Sequence, residues 1–257
     1  PPNPEHLFND AAFRPRPSAT DTDVFALNEA MRRFLYSEIA PQLRRKGHLE
    51  GLVDVILNGT QLKLEYDSAV TRTAAEAFDS RAGNCISLVI MTAALAKELD
   101  LPVYYQRVYS EDTWSRDGGI LFRSGHVNLD LRQRPGDKYW SNDRNQRITV
   151  DFLPQEEVRG YQTHSIEERT VVAMFMNNRA AESLARGQLD DAYWWAREAI
   201  ARDSSFLDAY NTLGVVYRRH GDLRDAERVF RQLLEREPEN PTVLSNLAAV
   251  LTTAGQP

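Results

Sequence analysis

Apolar residues fall along the chain in three successive patterns. Met31, Phe34, Leu35 and Ile39 recur at helical spacing behind Asn28, which is placed to cap the helix they predict. Leu49, Leu52, Val53, Ile56 and Leu57 form a second helical stripe that closes at Asn58-Gly59. Residues 61–66 suggest a short extended piece, and 73–78 one or two helical turns. The run 86–99 is apolar on nearly every side, which predicts a central, buried helix. The period then changes. Residues 102–109 alternate and are rich in Val and Tyr, and 119–123, 125–131 and 147–153 follow as strand-like runs separated by Gly, Pro, Asn and Asp. A helical layer followed by a mainly antiparallel sheet is an α+β arrangement. Beyond about residue 171 the pattern is helical again.

Ahead of these patterns, residues 1–23 carry Pro1, Pro2, Pro4, Pro15 and Pro17 among polar residues and are expected to form an extended arm, a tether. With 42% hydrophobic and 26% charged residues, the chain has the composition of an ordinary globular protein. A net charge of −6 and a pI near 5.5 argue against nucleic acid or an anionic membrane surface as partner. No apolar run approaches the roughly 18 residues a membrane span needs. The chain begins Pro-Pro-Asn-Pro rather than with Met, which suggests a trimmed precursor from which a leader or lipid anchor was removed.

The single cysteine, Cys85, stands where a loop ending in Gly83 and Asn84 meets the apolar run. Asn84 suits an N-cap, and Gly83 permits close approach of backbone. A thiol in a first helical turn feels the positive end of the helix dipole, which favours the thiolate. An unpaired cysteine can equally be a small core residue. Strand parity bears on that choice. Val127, Leu129 and Leu131 share one face of their strand, and His126, Asn128 and Asp130 share the other. In 147–153, Ile148, Val150 and Phe152 are sorted from Thr149 and Asp151 in the same way. If the two strands pair, His126 and Asp151 lie side by side. Cysteine at a helix start, histidine on a strand and aspartate on its neighbour are the parts of an activated-thiol site: the imidazole takes the thiol proton and the carboxylate orients the imidazole. The same three residue types also ligate metals. One cysteine excludes an internal disulfide and a multi-cysteine zinc site, and His6, His48, His164 and His220 show no metal spacing. No cofactor is expected.

Thr73-Ala-Ala-Glu-Ala-Phe78, Gly83-Asn84-Cys85, the apolar helix ending Leu-Ala-Lys-Glu-Leu-Asp-Leu-Pro102-Val, Gly125-His126-Val and Thr149-Val-Asp151-Phe together resemble the transglutaminase-like (transglutaminase/protease) superfamily. The resemblance covers roughly residues 60–155. It implies a papain-like core, with Cys85 as nucleophile, His126 as general base and acid, and Asp151 as the orienting carboxylate. Animal transglutaminases carry Trp directly after the cysteine where this chain has Ile86. The similarity therefore points to the bacterial branch, in which hydrolysis of peptide or amide bonds is at least as well represented as cross-linking. The oxyanion would be held by the Cys85 N–H and one further donor, for which Asn84 is a candidate. Tyr104, Tyr105 and Gln106 could flank the cleft, and the loop 114–119 that starts at Trp114 could form a lid or a hairpin tip. Relatives of this kind are often exported bacterial proteins, so a periplasmic or lipid-anchored location is favoured over a cytoplasmic one.

The last third repeats itself. Gly187-Gln-Leu-Asp-Asp-Ala192 matches Gly221-Asp-Leu-Arg-Asp-Ala226 at an offset of 34 residues, the tetratricopeptide period. In the second copy Leu213, Gly214, Tyr217, Gly221, Ala226, Phe230 and Pro238 all suit that motif. The first copy, 173–206, has Tyr193, Trp194 and Trp195 in place of the Leu-Gly-Tyr signature, and is expected to pack as an adaptor against the domain before it. A third copy starts at Pro241 and supplies one helix. The expected organisation is a Pro-rich arm over 1–23, a transglutaminase-like domain over 24–170 and an all-α repeat module over 171–257. Arrays of this kind bind peptides or partner proteins, and Asn177, Asn178, Asn211 and Asn246 are candidates for hydrogen bonding to a peptide main chain. Two functions are compatible with these features. One is a cysteine-dependent peptide or amide hydrolase or acyltransferase whose repeats recruit a protein substrate. The other is a scaffold that keeps the fold with little activity.

Overall fold

The structure is a computed structural model that describes residues 4–16, 22–59, 61–109, 114–117, 120–123, 126–133, 147–153 and 162–255. The chain divides into two compact units. One comprises Asp23–Thr113 and Gly125–Val171, the other Pro1–Thr22, Trp114–Ser124 and Val172–Pro257.

In the first unit, α1 (Glu29–Arg33) starts at Asn28, whose side chain accepts a hydrogen bond from the Met31 N–H at 2.9 Å. The apolar stripe does not remain one α-helix. It widens into a π-turn over Phe34–Glu38, and Pro41 then opens a separate helix, α2 (Ala40–Lys46), which the periodicity did not resolve. The second stripe is α3 (His48–Asn58). After β1 (Glu65–Tyr66), α4 (Ala74–Ser80) begins with a capping box in which Thr73 and Glu76 satisfy each other's backbone N–H. β2 (Ala82–Gly83) pairs in parallel with β1 and leads into α5 (Cys85–Glu98), of which every residue from Ile86 to Ala96 is buried. That burial explains the all-round apolar run.

Antiparallel pairing builds a four-stranded sheet, in the order β7 (Arg147–Val150), β6 (His126–Arg132), β3 (Val103–Tyr109), β8 (Gln162–Ile166). Val127, Leu129, Leu131 and Val150 are all fully buried, and α5 packs on β6 and β3. β8 lies among residues for which no strand is predicted. The first turn of α6 (Glu168–Ala185) contributes Glu168, which is hydrogen-bonded by the buried Tyr105 hydroxyl at 2.7 Å and paired with Lys97.

The second unit holds the rest of α6, α7 (Leu189–Arg202), α8 (Leu207–His220), α9 (Leu223–Arg236) and α10 (Pro241–Thr253), arranged as two helical hairpins and a single helix. β4 (Trp114–Asp117) and β5 (Ile120–Arg123) form an antiparallel hairpin from Trp114↔Arg123 to Asp117↔Ile120. The stretch read as a lid or a hairpin tip is therefore strand as far as residue 117. Residues 118 and 119 lie outside the described residues.

One further expectation is corrected here. Residues 4–16 are not a free extended arm: they form short 3-10 turns at Pro4–Leu7 and Asp10–Ala12, and Leu7 and Phe13 are buried at 0% and 4% exposure against the repeat helices. The aromatics of the first repeat are taken up within their own unit. Tyr193 stacks on Phe13, Trp194 donates to the Arg14 carbonyl, and Trp195 meets Phe175 edge-on. Among the described residues no helix is long and apolar enough to cross a membrane.

Close approach within the second hairpin depends on Gly214 in α8, where an added Cβ would lie 2.5 Å from the ring of the fully buried Phe230 in α9. Gly214→Ala is therefore expected to lower the stability of this unit by about 1–3 kcal/mol, measured by thermal unfolding followed by circular dichroism. An unchanged melting profile would mean that the helices do not pack this closely.

Candidate functional site

Cys85 is the first residue of α5, and its position is set by the turn before it. Asn84, 7% exposed, uses both halves of its amide: Oδ1 accepts from the Ser87 N–H at 3.0 Å and the Ser87 hydroxyl at 2.7 Å, and Nδ2 donates to Thr71 Oγ1 at 2.8 Å. Ser87 Oγ also accepts from the Arg72 N–H at 2.8 Å, so the segment before α4 is tied to the same turn. Gly83 makes this possible, since a Cβ there would stand 2.7 Å from Ser87 Cβ. Asn84 therefore fills the cap role. One of its two Nδ2 hydrogens is engaged with Thr71.

Antiparallel register brings the other two residues together. Leu129 faces Val150 and Asp130 faces Thr149, which places Asp151 opposite Asn128 and diagonal to His126. β7 itself ends at Val150, so Asp151 begins a turn rather than lying within a strand, and its Oδ1 accepts from the Leu153 N–H at 2.9 Å. His126 Nε2 lies 2.7 Å from Asp151 Oδ1. The Cys85 side chain acts on the same imidazole and favours its protonated form. All three residues are half-buried, and Cys85 is a free thiol.

Burial alone would disfavour a charged imidazole here. The hydrogen bond and negative charge of Asp151, with the influence of the Cys85 sulfur, outweigh it and raise the His126 pKa from 6.5 to about 9. Asp151 is likewise pushed upward by burial, but hydrogen bonds from His126, Asn128 and the Leu153 N–H bring it below the ordinary carboxylate value. The arrangement favours imidazolium between two acceptors, the state from which a histidine can deliver a proton to a leaving group.

A second tier stands behind this row. Asn128, 5% exposed, donates from Nδ2 to Asp151 Oδ2 at 2.8 Å and so occupies the carboxylate oxygen that His126 does not use. Asp130, 1% exposed, accepts from Gln106 Nε2 and Thr149 Oγ1, each at 2.6 Å. Gln106 therefore supports the sheet's polar row. Strand parity had already placed Asn128 beside His126; its role becomes visible only with the β6–β7 register. Trp114 is the first residue of β4, and its side chain lies outside the described residues.

In the repeat unit, Asn246 Nδ2 donates to Asn211 Oδ1 at 2.9 Å, and Asn177, Asn211, Asn240 and Thr242 line one shallow pocket. Of the four candidate asparagines, Asn177 of α6 and Asn211 of α8 line this pocket, Asn246 of α10 is hydrogen-bonded to Asn211, and Asn178 does not line it. Asn177 Oδ1 is buried with no hydrogen-bond partner.

Comparison with known families finds a tetratricopeptide repeat over residues 207–250, which takes in α8, α9 and most of α10. No curated protein and no solved structure matches the chain.

Two outcomes are expected at this site. Replacing Asn128 by Ala frees one buried carboxylate oxygen of its donor and is expected to cost about 1–3 kcal/mol of unfolding free energy; a neutral effect in urea denaturation would remove Asn128 from the support of Asp151. The raised His126 pKa contributes stability in full below its ordinary value of 6.5, and that contribution is lost as pH rises through about 9. Across that interval the unfolding free energy is expected to fall more steeply for the wild type than for His126→Ala. Parallel pH profiles would contradict the pairing.

Proposed function

We propose that the sheet-bearing unit is a cysteine-dependent acyl-transfer enzyme with a papain-like, transglutaminase-like arrangement, acting on peptide or amide bonds, and that the repeats recruit a protein substrate or partner. The observation that carries the catalytic reading is the His126–Asp151 hydrogen bond together with the influence of Cys85, the first residue of a buried helix, on the same imidazole. The repeat match supports the recruiting role.

In this mechanism His126 holds the proton of Cys85 as imidazolium, and Asp151 keeps the ring oriented. The thiolate attacks the acyl carbon, forming an S–C bond while the carbonyl π pair moves to oxygen. The Cys85 N–H, one of the first-turn donors with no intrahelical acceptor, would donate to that oxyanion. Collapse of the intermediate breaks the C–N bond, and His126 delivers its proton to the departing amine. His126 then takes a proton from water or an acceptor amine, which attacks the thioester and releases Cys85. Either acceptor closes the cycle, so the same residues serve hydrolysis and transamidation.

The repeat match also favours a second reading, in which the chain is a binding scaffold with little activity. In either case the row Asn177, Asn211, Asn246 would recognise a peptide main chain.

Alkylation of Cys85 by iodoacetamide separates the two. The enzyme reading expects rapid labelling at pH 6 that slows at least about tenfold in His126→Ala, because loss of the imidazolium removes its support for the thiolate. Labelling that is slow at pH 6, rises only at alkaline pH and is indifferent to His126→Ala would leave the scaffold reading.

A further inference from the structure

The departure of the first repeat from its motif, Tyr193-Trp194-Trp195, has a structural counterpart in residues 4–16. The Leu7 carbonyl accepts from the Tyr217 hydroxyl at 2.8 Å, and the Asn9 N–H donates to the hydroxyls of Tyr193 and Tyr217 at 3.0 and 2.9 Å. Both tyrosine rings are fully buried. The Asn9 side-chain amide donates to Asp225 Oδ2 at 2.8 Å. Asp10 accepts from Tyr193 at 2.6 Å and pairs with Arg197 at 2.8 Å. Arg14 is held through its backbone, its N–H donating to Asp190 at 2.9 Å and its carbonyl accepting from Trp194 at 2.7 Å. Phe13 lies flat on Tyr193, with centroids 4.0 Å apart and planes 3° apart, and Arg16 pairs with Asp191 at 2.9 Å.

This is the way a peptide ligand is held: main-chain groups are captured, two apolar side chains are buried six positions apart, and a charge of each sign meets its opposite. The receiving residues come from α7, the end of α8 and the start of α9. None of them belongs to the asparagine row.

We propose that this surface is a second peptide-recognition site of the repeat unit, selective for a Leu-x-Asn-Asp-x-x-Phe segment, and that residues 4–16 are its ligand, bound reversibly in cis. A partner that presents the same pattern competes with the chain's own segment. Because the tethered segment acts at millimolar effective concentration, the intact chain is closed to weak competitors.

The test uses the full-length chain and a fluorescein-labelled peptide of residues 4–16, followed by fluorescence anisotropy. A Leu7→Ala/Phe13→Ala chain, its own segment released, is expected to bind the peptide saturably, at least about 100-fold more tightly than the wild type. Adding Arg197→Ala is expected to weaken that binding at least tenfold, by roughly 1.4 kcal/mol or more. A folded variant that fails to bind, or that binds no better than the wild type, overturns the proposal. Should the variant not fold, amide hydrogen exchange of the wild type decides. The Asn9 and Arg14 amides are expected to exchange well before the core amides of α8. Exchange at the same rate as that core would make the segment an inseparable part of it.

Discussion

The first unit depends on how the N-terminus of α5 is held. Asn84 caps the helix through Ser87 and reaches back to Thr71, while Ser87 also receives the Arg72 N–H. Two segments, 71–72 and 83–87, thereby meet at one turn, with Gly83 admitting the approach. Buried hydrogen-bond networks of this kind rigidify when every member is satisfied. A thiol at that position has a fixed location relative to the sheet on which α5 packs, and the His126 imidazole can meet it without either residue moving far.

The sheet supplies the complementary constraint. Along one face of β6, His126, Asn128 and Asp130 each find a partner on a neighbouring strand or just beyond it, and the opposite face is filled by Val127, Leu129 and Leu131. Polar residues on the side of a sheet that is largely shielded from water must be paired or they cost stability. In this row Asn128 meets that requirement with only half of its amide: Nδ2 positions Asp151, while Oδ1 is buried without a hydrogen-bond partner.

Much of this was legible from residue order alone. The periodicity marked α3 and the core position of α5, the parity of β6 and β7 put His126, Asn128 and Asp151 on one face, and the 34-residue offset marked the repeats. What escaped were features decided by distant partners. The π-turn and the break before α2 leave the apolar spacing almost unchanged. β8, Gln162–Ile166, is polar and mostly exposed, so its pairing with β3 has no hydrophobic signature. Residues 4–16 read as a tether because their partners, Tyr193 and Tyr217, lie some 180–210 positions away. Of the adjacent candidates Asn177 and Asn178 only Asn177 lines the pocket, because helical phase, not composition, selects the side chain that faces it.

The central claim is that Cys85 and His126 form one charge-coupled pair. Its most direct measurement is the pH titration of the His126 ring by NMR in the wild type and in Cys85→Ser. The account expects a wild-type midpoint near pH 9, moving towards the ordinary histidine value in Cys85→Ser, because the influence of the sulfur favours the imidazolium. A midpoint near 6.5 in both proteins would show that the sulfur does not act on the ring, and would contradict the pair.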